Sequence, residues 1–444
     1  MASPISEDSR PTTAVRERAA ANDDMAPSPP ATFRLPPALR YALAVFLLMS
    51  MAVSARQVAY YFSHGPMVSD LRIFMTGLDM MRSGEGHQLY RFDAQEAAQC
   101  RLYPATRQAG LLPFNHLAYE LLFYWPVARL PYRAALIVWA VFNLGLTFLI
   151  AWLMKPYTGN LRRVTGIPVA LYLLGFYPVV YVFGEGQDSL IFLLLVVLSL
   201  RALDHGRAFL AGFILALACF KFHLALAIAF LVFLLPRRWR ALAGIAVGGG
   251  LVVGISLAMV GPNLAADYLT MLRKQETMTP WGFIPWFMPN LRGLLQWGLS
   301  RWVDIGEIVP IILMLSAVVG SATAYLIWRC WPRQDARRLY SIAILTTVLV
   351  SYHLHMQDLT MAALPMLVLL DLAADGEFSL AWVTLLLAAV AGLYGYRVAA
   401  EPFPVLLVRG CLLAVPLLLL WLVNCKGFCQ TRPQESGRAA STPV

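Results

Sequence analysis

The sequence predicts an all-α protein that crosses a membrane many times. Three observations carry that expectation. Hydrophobic residues make up 59% of the chain and charged residues 14%, where soluble domains carry about 25% charge. Apolar runs close to the roughly 17–25 residues needed to span a bilayer recur at 41–55, 134–154, 167–183, 241–266, 308–328, 339–352, 378–396 and 410–424. Short basic groups flank these runs at Arg162–Arg163, at Arg201 with Arg207, at Arg237–Arg240 and from Arg329 onward. That placement matches the excess of Lys and Arg on cytoplasmic loops. The net charge of +10 therefore reads as membrane topology, and nucleic acid is not an expected partner.

The elements follow in order. Residues 1–40 are rich in Pro, Ala and mixed charge, predicting a disordered cytoplasmic tail. Residues 425–444 predict a second one, with a transmembrane catalytic domain at 41–424 between them. From a cytoplasmic start, the first helix (about 40–60) delivers the polar stretch Ser69–Tyr90 to the outside, and the helix at about 133–154 returns. The pair at about 166–183 and 189–204 turns outside at Gly184–Asp188.

The 28 residues Ala208–Leu235 carry Lys221 and His223 near their middle. A single span would hold an ammonium near the bilayer centre, costing roughly 3 kcal/mol, and would place Arg237, Arg238 and Arg240 outside. A hairpin of two short helices avoids both and is the expectation here. Crossings at about 241–260, 308–328, 339–355, 359–370, 379–396 and 404–424 bring the total to about twelve, with a second large external loop at 261–307. The acidic stretch Asp371–Glu377 falls inside, which the rule tolerates.

This threading brings Asp70, the Gly184–Asp188 turn, Lys221–His223 and His353–Asp358 to the external side. Asp70 heads a helix over residues 70–81, with Leu71, Phe74, Leu78 and Met81 at helical spacing. It is the candidate general base, with Asp79 as runner-up; a solvated loop aspartate is the plainer alternative. Residues 114–130 predict an interfacial amphipathic helix, serving as an anchor or for substrate access. Gln187 can hydrogen-bond a sugar hydroxyl, and Asp188 and Asp358 join it as sugar- or acceptor-binding candidates. Lys221, His223, His353, His355 and Arg292 are candidates to bind an anion such as phosphate. A phosphate suits such groups because charge-assisted hydrogen bonds are strong. His353 and His355 could alternatively be structural or ligate a metal; with no acidic cluster legible elsewhere, no metal is expected. Cys425 and Cys429 lack the partners of a zinc site, and no structural disulfide is expected.

The ordered motifs resemble glycosyltransferase family 87, membrane enzymes of the GT-C class. The resemblance lies in Asp70, Phe74, Gly77, Gly84 and Tyr90 of the first loop, then Pro178 with Gly186–Gln187. It continues through Gly212, Lys221 and Arg237–Trp239, and ends in His353–Leu359 followed by Pro365. Phe222 stands where the family usually has proline. The resemblance covers about residues 41–370. It implies a GT-C-like fold, a polyprenyl-phosphate-linked sugar donor, a glycan or glycolipid acceptor and no cofactor. It also implies Asp70 as catalytic base, a late-motif histidine on the donor phosphate, and an active site facing outward from the plasma or inner membrane. The alternative is a transporter or flippase of lipid-linked sugars, whose signature is paired broken helices in inverted repeats; one interruption is legible, near Lys221. An envelope polymer ligase and a structural membrane protein are further alternatives.

Overall fold

The computed structural model describes residues 35–275, 288–300, 302–330 and 335–376, which are helical or irregular throughout. Residues 1–34 and 425–444 of the expected tails, and the expected crossings at 379–396 and 404–424, lie outside the described residues. So does part of the second external loop.

Five helical stretches among the described residues are long and apolar enough to span: Pro37–Val68, Tyr132–Leu153, Trp239–Val260, Gly306–Arg329 and Met356–Ala374. This is the architecture of a polytopic helical membrane protein. The expected count of about twelve crossings is not confirmed among the described residues, where several expected spans are short or broken. The segment at 166–183 divides into Val169–Gly175 and Tyr177–Glu185 around an extended Phe176. Pro178, which cannot donate to a preceding turn, sits at the start of the second piece. Ser189–Asp204 follows with only 16 residues. Of the 18-residue apolar stretch in Met356–Ala374, 83% is buried inside the protein, whereas the share is only 17% in Pro37–Val68 and in Gly306–Arg329, which turn most of their apolar surface outward.

Ala208–Leu235 is interrupted as its lysine demands. Ala208–Ala216 and Cys219–Leu234 meet at a break bent by 63°. The first half climbs beside the Trp239–Val260 helix until Tyr119 caps it, donating from its hydroxyl to the Leu217 carbonyl at 3.0 Å. Phe222, at the start of the second half, packs against Tyr268, and Phe233, near its end, against Tyr340. Phe209, at the start of the segment, lies against Gly244 near the start of the helix that follows it, so the segment leaves and returns at one end of the bundle. Lys221 stands at the opposite end, near the first loop.

Glycine makes the packing of the first half possible. A Cβ on Gly212 would lie 1.9 Å from the Ala241 carbonyl oxygen, and one on Gly244 2.0 Å from that of Phe209. In lipid, where apolar tails give no hydrophobic drive between helices, such close approach supplies the van der Waals contact that holds them.

The segment that follows the first helix packs inward. Its helix spans Leu71–Arg82, close to the predicted 70–81, with Leu71, Phe74 and Leu78 fully buried. Phe74 stacks on Tyr124 and Tyr124 on Trp139, each pair with ring centroids 4.0 Å apart. The amphipathic helix expected over 114–130 is three short turns, Ala118–Glu120, Leu121–Tyr124 and Trp125–Val127, with Pro126 limiting their run. At the other end of the bundle, Asp371, expected at the start of an acidic loop, lies within the Ala363–Ala374 helix and acquires a role. Asp371 Oδ1 accepts from the Leu161 backbone N–H at 2.9 Å, and Oδ2 from Arg337 at 3.3 Å.

Two outcomes follow. Gly244→Val should lower the thermal midpoint of the detergent-solubilised protein, by roughly 1–3 kcal/mol or more of overpacking. Gly249→Val, whose Cβ meets open space, should be nearly silent. In a cysteine-free background, His205→Cys and Trp239→Cys should resist an impermeant external thiol reagent while His87→Cys labels. Labelling at 239 would show that Ala208–Leu235 crosses once.

Candidate active site

The site is organised around the Gly184–Asp188 turn, where one helix ends and the next begins. Gly186 has φ +67° and a Cβ there would sit 2.7 Å from that of Leu71, so the position requires glycine. The turn's carbonyls lie where water is scarce, and those of Glu185, Gly186 and Gln187 each take a side-chain donor. Ser69 Oγ donates to Glu185 O at 2.9 Å and the Tyr124 hydroxyl to Gly186 O at 3.0 Å. Trp139 Nε1 and Asn143 Nδ2 both donate to Gln187 O, at 3.0 and 3.3 Å. These bonds clamp the first loop onto the turn.

Asp70 is thereby fixed twice. Its backbone N–H donates to Glu185 Oε2 at 3.1 Å, and its Oδ2 accepts from Gln187 Nε2 at 2.7 Å. Asp70 stays partly exposed, and Gln187 is its link to a cavity of about 340 Å³ that Gln187 itself lines.

The same cavity is lined by Lys221, His223, His353, His355 and Asp358, so three of the four expected segments meet there, and Asp70 joins them only through Gln187. Lys221, however, finds its counter-charge inside the protein. Its Nζ lies 2.7 Å from Asp358 Oδ1 and 3.7 Å from Asp188 Oδ1, with all three side chains almost wholly buried. Asp358 Oδ2 also accepts the His355 backbone N–H at 2.9 Å, which caps the turn Met356–Ala362. A buried ammonium between two carboxylates is a structural requirement before it is anything else.

His353 is held from behind. Arg292 NH1 lies 3.2 Å from His353 Nδ1, donates to the Tyr352 carbonyl at 3.0 Å, and stacks 3.8 Å above the Tyr352 ring. A guanidinium only donates, so Nδ1 is the acceptor and the ring's proton sits on Nε2. Arg292 does not line the cavity. Asp79 does not either: it lies about 13 Å along the helix from Asp70 at 1.5 Å per residue, and shares Arg101 with Glu85 at the surface.

One group went unread in the sequence. Glu120 is fully buried beside Asp188, and its Oε2 lies 2.7 Å from His116 Nδ1. Burial pushes the Glu120 carboxyl up to about 7 and the His116 imidazole down to about 4. His116 and Glu120 sit four residues apart, the spacing that puts two side chains on one helical face. That was the available signal.

The sequence model of glycosyltransferase family 87 matches residues 120–351, a little over half of the chain. A polyprenol-phosphate-mannose-dependent alpha-(1-2)-phosphatidylinositol pentamannoside mannosyltransferase of Mycolicibacterium smegmatis is similar to it. The two are 27% identical over 305 residues, 68% of each chain. No solved structure matches.

The buried ion pair predicts its own test. Lys221→Met should lower stability by roughly 3–5 kcal/mol, because Asp358 is left charged and unmatched. Adding Asp358→Asn should recover much of the loss in thermal unfolding. A single variant as stable as the wild type would mean that the pair contributes nothing.

Proposed function

Because this chain belongs to glycosyltransferase family 87, we propose that it transfers a mannose- or pentose-like sugar from a polyprenyl-phosphate donor to an envelope glycan or glycolipid. The donor class rests on the M. smegmatis relative, whose name carries polyprenol-phosphate-mannose dependence. Family membership favours a transferase over the transporter or flippase alternative.

The observation that carries the mechanism is the Asp70–Gln187 contact at the edge of the polar cavity. Gln187 occupies Oδ2, which leaves Oδ1 for the acceptor. Asp70 then takes the proton of an acceptor hydroxyl, and that oxygen attacks the anomeric carbon as the bond to the phosphate oxygen breaks. The bonding electron pair leaves on the polyprenyl phosphate, and the anomeric configuration inverts. His353, with its proton on Nε2, and His355 are the nearest donors for the departing phosphate. Lys221 and His223 add positive or polar surface to the same wall, Lys221 through charge it already shares with Asp358. Arg292 acts through His353. Gln187 is a positioning residue for Asp70 before it is a sugar contact, Asp358 shapes the acceptor side from the wall, and Asp188 does so from behind it.

The donor's lipid chain would lie among the outward-facing apolar helices, with the reaction at the external face of the plasma or inner membrane. The acceptor glycan or glycolipid would approach from the same side.

Two measurements test this reading. Membrane vesicles given labelled polyprenyl-phosphate sugars one at a time should transfer one of them to endogenous acceptor. Asp70→Asn should reduce that transfer by about 10²–10⁴-fold, the usual weight of a general base, with membrane insertion intact. Asp79→Asn should cost little. Undiminished transfer by Asp70→Asn would remove Asp70 from the mechanism.

A further inference from the structure

The cavity wall beside Gln187 carries an imbalance that the transfer reaction leaves unexplained. His116 Nδ1 and Glu120 Oε2 face each other at 2.7 Å, but Glu120 Oε1, both oxygens of Asp188 and Gln187 Oε1 are buried without a hydrogen-bond donor. Nearly all buried polar atoms in proteins are hydrogen-bonded, and exceptions point to a missing water, ion or proton. Carboxylate oxygens only accept, as does the Gln187 oxygen, so these groups cannot satisfy one another while both acids are ionised. Side-chain ligand atoms of His116, Glu120 and Asp188 all lie within 4.8 Å of one another.

Formal charge points the same way. Glu120, Asp188 and Asp358 are three buried carboxylates facing one buried ammonium, Lys221. Lys221 is closed onto Asp358 at 2.7 Å and approaches Asp188 only to 3.7 Å, so it answers Asp358 and leaves the other two acids in excess. Two negative charges in a dry site match one divalent cation. Glu120 and Asp188 are each fully buried, and His116 and Gln187 line the cavity, so the group has both a closed back and an open front.

We propose that His116, Glu120 and Asp188 form a divalent-cation site in the cavity wall, with Gln187 Oε1 beside it. One imidazole and two carboxylates make a borderline-to-hard donor set suited to Mn²⁺ or Zn²⁺. Three protein ligands leave a coordination position open to the cavity, as in sites that bind a further oxygen ligand. Two ligands opposite each other across one ion are separated by about 4.4 Å at most at usual bond lengths. Small side-chain rotations suffice to reach that. The assignment stands on the geometry of these residues and does not depend on which sugar is moved, or on whether one is.

The test is a direct binding measurement. Purified full-length protein in detergent is stripped with a chelator and titrated with Mn²⁺, with free Mn²⁺ read by electron paramagnetic resonance. One Mn²⁺ per chain should bind, Zn²⁺ should displace it, and the thermal midpoint should rise on binding. Glu120→Gln and Asp188→Asn should each weaken binding by about 10–100-fold or more and lose the thermal shift. Glu120→Gln without metal should melt no lower than the stripped wild type, because it removes unmatched charge; this separates loss of the site from loss of the fold. Wild-type protein that binds no Mn²⁺ or Zn²⁺ up to millimolar concentration would overturn the proposal. Binding that both variants retain unchanged would overturn it as well.

Discussion

The constraint on which the functional end depends is the need to give every polar group a partner where water is scarce. A break between two apolar helices exposes carbonyls that have lost their helical donors, and in such surroundings each unpartnered group costs several kcal/mol. The Gly184–Asp188 turn meets that need with donors from Ser69, Tyr124, Trp139 and Asn143. Those donors come from the first loop and the Tyr132–Leu153 helix, so satisfying the backbone assembles the site. Asp70 reaches Gln187 because the loop that carries it is already tied to the turn.

Charge follows the same logic at a larger scale. Lys221 is tolerable in an apolar segment because Asp358 arrives from a segment far along the chain. Asp358 in turn needs Lys221 and the His355 backbone. The two ends of the bundle therefore differ in kind. At the Arg-rich end, ion pairs such as Arg337–Asp371 sit partly in reach of solvent. At the opposite end, cations and acids are buried around a cavity, where the loss of one partner is far more costly than the pair is worth.

Much of this was legible in the sequence. Composition and apolar runs gave the membrane class, and the basic clusters gave an orientation that groups the polar segments as the structure groups them. The helix beginning at Leu71 was visible in the spacing of Leu71, Phe74 and Leu78. Lys221 announced a break, since no single span carries an ammonium cheaply. What stayed hidden depends on pairing between distant segments. Nothing local marks Asp358 as the partner of Lys221, or Arg292 as a support for His353. Glu120 was misread because its neighbours Leu122, Phe123 and Trp125 resemble an interfacial belt. Only the fold shows that Glu120 faces the opposite way from Leu122 and Trp125, which are about half exposed. The break at Phe176, with Pro178 opening the second piece, falls inside the run 167–183 that hydropathy alone reads as continuous.

The glycine contact between Gly212 and Ala241 has a consequence for biogenesis. Neither half of Ala208–Leu235 is long enough to cross a bilayer, so an insertion machine reading the chain in order meets a segment it cannot leave in lipid by itself. The surface that accepts the first half is the Trp239–Val260 helix, which is synthesised afterwards. The lysine-bearing turn must therefore wait, in the translocation channel or against its water-filled lateral opening, until the next helix emerges. Its final depth is set by a neighbour made later, and the cavity wall is completed only when His353–Asp358, synthesised later still, arrives.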